Sequence, residues 1–434
     1  MDKVDDILVQ KDNENEANYL CCDLKSFYAS VECAERNLDP FTTNLVVADP
    51  DRSKGTLCLA ITPAMKALGV KNRCRIYEIP PNIEYIVAPP RMQLYIDYSA
   101  RIYEIYLKYF SKDDIHVYSI DESFVDCTPY KELYGMTAKE IGIRLINDIY
   151  ETTGITATLG VGSNLYLAKV ALDITAKHAK DHIGILTEEI FRQKLWHHKE
   201  LTDFWRIGPG IEKRLKSFGI TDMADITQMN EDQLYKMFGV DAELIIDHAW
   251  GIETTTMQDI KQYKPKDSSL SSTQVLLRDY EYEEAKLIVK EMLELLCLDL
   301  VDKNLITDSV SLYVGYSHST EFPVPGSKGS ISLMTPTSSP ISIRPQLVEL
   351  YERIVYPNVP IRHIGISFNR LIDETIQQYD LFTDPEQLEK ERDVQKAMIE
   401  IKSRFGKNAV LKGMNLLDAG TTRERNIQIG GHKA

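Results

Sequence analysis

Tyr19-Leu20-Cys21-Cys22-Asp23-Leu24-Lys25-Ser26-Phe27-Tyr28 and, far downstream, Val117-Tyr118-Ser119-Ile120-Asp121-Glu122-Ser123-Phe124-Val125-Asp126 decide how this chain is read. Each is an apolar run with strand character that delivers carboxylates to its end: Asp23 in the first, Asp121 and Glu122 in the second. Strand ends mount functional groups on a rigid scaffold, so the pattern brings three acids toward one place. Any one of them alone reads as a cap or a surface acid. Together, like charges a few ångströms apart repel by several kcal/mol unless a cation neutralises them. Magnesium takes octahedral oxygen ligation from one or two carboxylates plus substrate phosphates, and two such ions ~3.5–4 Å apart suit phosphoryl transfer. A two-magnesium phosphoryl-transfer site is the economical expectation.

The chain has 434 residues, which at ~150 residues each suggests about three domains. Its hydrophobic share, 43%, is ordinary for a globular protein and excludes global disorder. The opening segment, residues 1–18, carries Asp2, Asp5, Asp6, Asp12, Glu14 and Glu16. It has neither the basic nor the apolar region of a secretory signal. No apolar run approaches the ~20 residues of a membrane span. Cys21, Cys22, Cys33, Cys58, Cys74, Cys127 and Cys297 are odd in number, scattered and without a Cys-x-x-Cys pair. They read as small core hydrophobes in a reducing cytoplasm, and structural zinc is not expected. The net charge of −15 sits awkwardly with a nucleic-acid partner, which needs Lys and Arg. The charge is segregated, however. Acids gather at the N-terminus, at the acid site and along Asp279, Glu281, Glu283, Glu284, Glu291 and Glu294. Bases gather at Lys213, Arg214 and Lys216 and at Lys261, Lys264 and Lys266, a distribution compatible with a DNA track.

Up to about residue 180, strand and helix periods alternate. Strands are predicted over 19–23, 45–48, 57–61, 115–119, 123–127 and 155–161, and helices over 26–36, 91–110 and 138–151. A further helix starts near Ser163 or Asn164, either of which can cap it. An antiparallel sheet with helices on one side, an α+β domain, is expected. From 195 to 255 the pattern is helical with Gly-containing turns, and 261–272 reads as a solvated linker. Strand, helix, strand, strand, helix and strand follow over 273–277, 281–303, 309–316, 329–334, 344–355 and 361–370, an order that resembles the split βαβ ferredoxin-like unit. The tail after Leu371 is polar and charged, and partial disorder is expected there.

Asp23-Leu24-Lys25-Ser26-Phe27-Tyr28-Ala29-Ser30-Val31-Glu32, taken with Tyr118-Ser119-Ile120-Asp121-Glu122-Ser123, resembles the two signature motifs of Y-family, lesion-bypass DNA polymerases. The resemblance continues through Ala64-Met65-Lys66-Ala67-Leu68-Gly69-Val70-Lys71, Gly160-Val161-Gly162-Ser163-Asn164 and Ala168-Lys169-Val170-Ala171, covers roughly residues 17 to 370, and is strongest to the UmuC-like branch of Gram-positive bacteria. It implies a multidomain α+β right hand: an acidic extension (1–17), a ferredoxin-like palm (18–35 and 94–182), small fingers (36–93), a helical helix-hairpin-helix thumb (183–258), a linker (259–271), a βαββαβ little finger (272–372) and a tail (373–434).

The resemblance also implies roles. Asp23, Asp121 and Glu122, with the Leu24 carbonyl, match the ligands of two Mg2+ ions. Phe27 and Tyr28 match the pair facing the incoming triphosphate, and Tyr28 the steric gate under the sugar; without the motif, Tyr28 reads as a core aromatic. Lys66 falls where relatives carry a triphosphate-binding Arg or Lys, and a Lys meets phosphate as a point charge. Pro63 stands where many relatives have a phosphate-binding Tyr. Lys177 matches a second triphosphate lysine, but its spacing from Lys169 is one residue longer than usual, a rotation of about 100° on a helix; Lys180 competes for the role.

Arg206-Ile207-Gly208-Pro209-Gly210-Ile211-Glu212-Lys213-Arg214 resembles a helix-hairpin-helix motif, with Gly208 and Gly210 permitting a tight turn and Lys213 and Arg214 adding attraction to the DNA backbone. A plain helix–helix turn is the other reading, and 238–241 is a weaker second copy. Ser311, Tyr313, Ser330, Ser332, Arg344 and Arg362 are candidate DNA contacts of the little finger. Gln378-Tyr379-Asp380-Leu381-Phe382 resembles the peptide that anchors in the bacterial sliding clamp, with Gln378, Leu381 and Phe382 as anchors; a short helix packed on the little finger is its alternative. The resemblance implies a translesion DNA polymerase of low fidelity and without proofreading, acting on primer-template DNA and dNTPs as a monomer in damage tolerance and SOS mutagenesis. A non-catalytic DNA- and clamp-binding regulator is the rival, and a nucleotidyl cyclase would explain the acids but neither the 208–210 turn nor the clamp peptide.

Overall fold

The computed structural model describes residues 16–51, 55–265, 268–317, 324–374 and 385–434, and the chain divides into two units, Met1–Tyr263 and Lys264–Ala434. Strands of the first unit are β1 (Tyr19–Leu24), β2 (Leu45–Val47), β3 (Ala60–Ile61), β4 (Ile86–Ala88), β5 (Ile115–Val117), β6 (Glu122–Asp126), β7 (Ala157–Gly162) and β8 (Ile183–Leu186). Five of them form the sheet β5-β6-β1-β7-β8, antiparallel except for β7 with β8. The sheet thus runs on to Leu186, beyond the border expected at residue 182.

Side chains alternate across β1. Leu20 faces the helix Ala138–Thr153 and Cys22 meets Tyr106 of the helix Met92–Tyr109. Cys21 packs on the other face with Leu165, Ala168 and Leu172. Helices therefore cover both faces of the sheet, not one. Glycine is the physical reason: a Cβ at Gly160 or Gly162 would lie 2.1 Å from backbone atoms of Ala168, so the helix Leu165–Val170 rests directly on the strand. Asn164 caps that helix, its side chain accepting from Leu167 N at 2.8 Å.

Residues 36–93 build a small sheet, β3-β2-β4, around Val46, Ile61, Met65 and Ile79. Pro63 opens the helix Pro63–Ala67 behind the Thr62 cap, a position where its missing N–H costs nothing. The helical range beyond Leu186 surrounds Phe191, Leu201, Phe204, Leu215 and Ile220, as its pattern predicts. The helix Met257–Gln262 intrudes on the expected linker: Met257 packs with Cys21 and Phe124, and Lys261 donates to the Lys112 carbonyl at 2.6 Å.

The second unit has β9 (Leu270–Tyr280), β10 (Leu305–Tyr316), β11 (Ser327–Thr337) and β12 (Ile361–Asn369) in the antiparallel order β11-β10-β12-β9. The helices Tyr282–Asp302 and Pro340–Ile354 complete the expected βαββαβ order, and they bury Ile288, Met292, Leu296, Ile343 and Leu347 against Val310, Leu312, Ile364 and Ile366. The opposite face of the sheet is open. Ser311, Tyr313 and Ser330 line a trough of about 500 Å³ there, with Gly365 at its middle. Arg344 and Arg362 are not part of it. Arg344 pairs with Glu294 on the helix layer, and Arg362 lies 3.5 Å from Asp279.

The tail corrects its expectation. Residues 375–384, which include Gln378, Leu381 and Phe382, lie outside the described residues. From Pro385 to Phe405 the chain is a helix packed along Tyr282–Asp302. Beyond it the chain returns to Glu291, 1% exposed, whose carboxylate accepts from Asn415 Nδ2 and Thr421 N, each at 2.8 Å. Arg425 donates to Gln274 Oε1 at 2.9 Å and to Ser272 Oγ at 3.3 Å. Polarity misleads here because Glu291 and Glu294, counted among the acids gathered along this stretch, are the buried anchors of the tail. Glu291→Ala leaves those donors without an acceptor, so we expect it to cost about 1–3 kcal/mol. Thermal unfolding and amide exchange check this: a lower midpoint with faster exchange over 412–425 is expected.

Candidate active site

The two decisive stretches pair in the structure. β1 and β6 are antiparallel with Asp23 opposite Glu122, and Leu24 N donates to the Asp121 carbonyl at 2.9 Å. Residues opposite each other in antiparallel strands share a face, so both carboxylates lie on the side of the helix Leu165–Val170. The turn between β5 and β6 is held by Tyr118 N and Ser119 N donating to the Glu122 carbonyl, each at 3.0 Å. Ser99 Oγ, from the helix Met92–Tyr109, donates to the Ile120 carbonyl at 2.6 Å. Asp121 is therefore presented by a pinned turn.

Electrostatics shows how close the acids are. Burial, followed by repulsion from Asp121 and Glu122, pushes the Asp23 carboxyl up to about 7. Lys169 and Lys177 offset this only in part. Glu122 is turned toward Lys169, whose Nζ lies 2.8 Å from one carboxylate oxygen and 2.9 Å from the other, and the Cys21 thiol donates to it at 3.2 Å. Asp121 accepts from Ser119 Oγ at 2.6 Å. As a result, among the described residues no three His, Cys, Asp or Glu side chains close into a ready ligand group. The acids are neighbours with excess negative charge and oxygen donors only, the chemistry that suits a hard divalent cation. Asp23, Asp121 and Glu122, with the Leu24 carbonyl, are the groups that could hold one.

Basic and aromatic groups complete the surroundings. Lys66, on the helix Pro63–Ala67, has its pKa lowered by desolvation, raised by Asp23 and lowered by Lys177, so both lysines stand near the acids. The longer spacing to Lys177 is absorbed by a π-turn, Ala171–Thr175, and Lys177 donates to Asp173 at 3.3 Å and acts on the charge of Asp23. Ser26 adopts a left-handed conformation, φ 52°, immediately before the helix Phe27–Ala34. A non-glycine residue there is uncommon and concentrates at functional sites. Tyr28 is half-buried, near Asp121 and Arg73, and its ring stacks on Tyr95 at 4.5 Å and 15°. Tyr95 in turn donates its hydroxyl to Glu32 at 2.8 Å. Glu32 is wholly buried, and although burial alone would raise its pKa, Arg91, Tyr95 and Arg36 hold it below the usual carboxylate value.

Sequence reasoning alone misses several of these residues. Glu32 and Lys169 lie within the family motifs but carry no role there, and Tyr95 hides in a helix whose aromatic content looks like ordinary core. The Lys169-Asp173-Lys177 spacing is one signal that could be read, since residues four apart share a helix face. Trp205 has no signal: its Nε1 donates to the Tyr118 hydroxyl at 3.3 Å and its ring lies 5.8 Å from Phe124, joining the helical range to the acid-bearing hairpin.

The expected DNA-gripping turn differs in detail. Gly208 has φ −90°, and a side chain at Gly208 or Gly210 would meet nothing within 4 Å, so the backbone does not demand glycine. The left-handed residue is Arg206, φ 75°. What the glycines do is leave the start of the helix Pro209–Lys216 bare. Lys213 is exposed. Arg214 is also exposed, but its guanidinium is engaged by the chain itself, donating to the Met237 carbonyl at 2.7 Å and lying over the Phe238 ring.

Comparison with known proteins places the chain. Residues 22–173 match the profile of the impB/mucB/samB family and residues 267–381 that of its C-terminal domain. UvrX of Bacillus subtilis (strain 168) is 30% identical over 419 residues, covering 96% of this chain and 98% of the relative. DNA polymerase IV 2 of the same organism is 31% identical over 417 residues, covering 94% and 97%. Among solved structures, the Y-family DNA polymerase chimera Dbh-Dpo4(243-245)-Dbh superimposes with a TM-score of 0.64 at 21% identity, covering 82% of this chain and 99% of that one, which speaks to the fold. With residues 22–173 and 267–381 matched and its length covered by these relatives, the chain belongs to the impB/mucB/samB family, the UmuC-like branch of the Y-family DNA polymerases.

Proposed function

We propose that this DNA-directed DNA polymerase extends a primer 3′ end across damaged template by phosphoryl transfer at Asp23, Asp121 and Glu122. The observation that carries the reading is the convergence on one strand end of three mutually repelling carboxylates, two lysines and the Tyr28 ring. Asp23, Asp121, Glu122 and the Leu24 carbonyl would hold two Mg2+ ions. Magnesium held there would supply acidification of the primer hydroxyl and neutralisation of charge on the phosphates. The chain's own groups do the rest. Lys66 and Lys177 meet the triphosphate as point charges, and the backbone at Phe27 and Tyr28 presents N–H groups at a helix start, where anions are favoured.

Tyr28 is the sugar gate in this reading. An aromatic ring excludes a 2′-hydroxyl only if it cannot swing away, and the Tyr95 stack, worth about 0.5–1.5 kcal/mol, opposes that movement. The DNA duplex would be held by the bare helix start at Gly208 and Gly210 with Lys213, and by the hydroxyl-lined trough of the second unit. The Gln378-Tyr379-Asp380-Leu381-Phe382 peptide would tether the enzyme to the sliding clamp, raising the effective concentration of primer ends. Low fidelity, absence of proofreading and a part in the SOS response belong to the same proposal.

Primer extension tests it directly. Asp121→Ala or Glu122→Ala should abolish magnesium-dependent extension on undamaged and damaged templates while primer-template affinity persists; near-normal extension would remove the assignment. Tyr28→Ala should admit ribonucleotides, and Tyr95→Leu should do so more weakly, measured as the ratio of ribo- to deoxynucleotide kcat/KM. Deleting residues 378–382 should weaken capture by immobilised clamp without altering extension on short templates.

A further inference from the structure

Lys177 follows Lys169 by eight residues. A regular α-helix turns through about 800° over that distance and leaves the second side chain about 80° off the first. The strip between them is a π-turn, Ala171–Thr175, whose wider circuit takes up the surplus residue. It is held from beneath by backbone: a Cβ at Gly160 would lie 2.5 Å from Leu172 N, and one at Gly184 would lie 2.4 Å from the Ala171 carbonyl oxygen. Within that turn stands Asp173. Its Oδ1 accepts from Lys169 Nζ at 3.2 Å and from Lys177 Nζ at 3.3 Å. Lys169 in turn donates to Glu122 at 2.9 Å. Side-chain exposure falls along the row, from 58% at Lys177 to 24% at Asp173 and 9% at Lys169. Glu122, Lys169, Asp173 and Lys177 thus form an alternating line of charge leading from the acids to the solvent side of the site.

We propose that Asp173 is a positioning residue for nucleotide binding: it aims the Lys177 ammonium before the triphosphate arrives. The inference rests on the reading above that Lys177 meets a nucleoside triphosphate. An ordinary surface pair between residues four apart would leave each lysine free to sample other rotamers. Here one carboxylate is shared by two lysines, one of them buried, and its own position is fixed by a backbone that the sheet supports. A long flexible Lys held in its bound direction loses less freedom when the phosphate arrives, so its removal from that direction should appear in nucleotide affinity more than in turnover.

The experiment is equilibrium binding of the complementary dNTP to the full chain on primer-template DNA ended by a dideoxynucleotide, so that no bond forms. Asp173→Asn should weaken nucleotide binding about fivefold and raise KM with kcat within about twofold, with primer-template affinity unchanged. Asp173→Glu should recover most of the loss. In a double-mutant cycle, Asp173→Asn should add little to Lys177→Ala. Wild-type nucleotide affinity in Asp173→Asn, or additive losses in the double variant, would overturn the positioning role. If Lys177→Ala itself binds nucleotide normally, the triphosphate reading at Lys177 fails and the role of Asp173 fails with it; if Lys177→Ala is weakened and Asp173→Asn is not, only the positioning role is lost.

Discussion

Repulsion among carboxylates at the adjoining ends of β1 and β6 is the constraint around which the first unit is arranged. Asp23 and Glu122 oppose each other in strand register, and Asp121 is tied to Leu24 through the backbone, so none can retreat far. Such an arrangement survives only with compensating charge. Lys169 supplies part of it from the helix pressed onto the sheet. For that lysine to reach Glu122 the helix must lie very close, and the glycines of β7 provide the closeness. Fold and site are thus one problem: the same small residues that let the helix touch the strand bring the counter-charge to the acids.

A second buried carboxylate plays a different part. Glu32 takes two guanidinium groups and a phenol, and satisfied in that way it acts as a stiff post rather than a reactive group. Losing one partner of a buried charge costs about 3–5 kcal/mol, more than the loss of an exposed pair. Tyr95 stands on this post and Tyr28 on Tyr95. The aromatic surface near the acids therefore inherits its rigidity from an ion-pair network in the interior, not from hydrophobic packing alone.

Much of this is legible in the residues themselves. The alternation of periods locates β1, β6, β7 and the long helices, and the two acid-bearing stretches identify the site. What escapes does so for definite reasons. β8 is four residues long and follows a turn, too short to show a period. Helices on both faces stay hidden because Gly160 and Gly162 carry no side chain to announce a contact. Glu291 and Glu294 look solvated because the segments that bury them lie more than a hundred residues away in sequence. The extra residue before Lys177 looks like a misalignment, because a π-turn has no sequence signature of its own.

The trough on the open face of the second unit has a consequence of its own. Among its lining residues Lys328 alone carries charge; the rest are hydroxyls, glycines and apolar groups. Each phosphate neutralised by a cation releases bound counterions and steepens the dependence of affinity on salt by about 0.9 in logarithmic slope. A surface that meets a polyanion through hydroxyls gains little from that release. If the trough meets DNA as proposed, its grip would be weak in dilute buffer and nearly as strong in concentrated salt, loosening at a rate that ionic strength scarcely changes. Such a surface would suit brief visits.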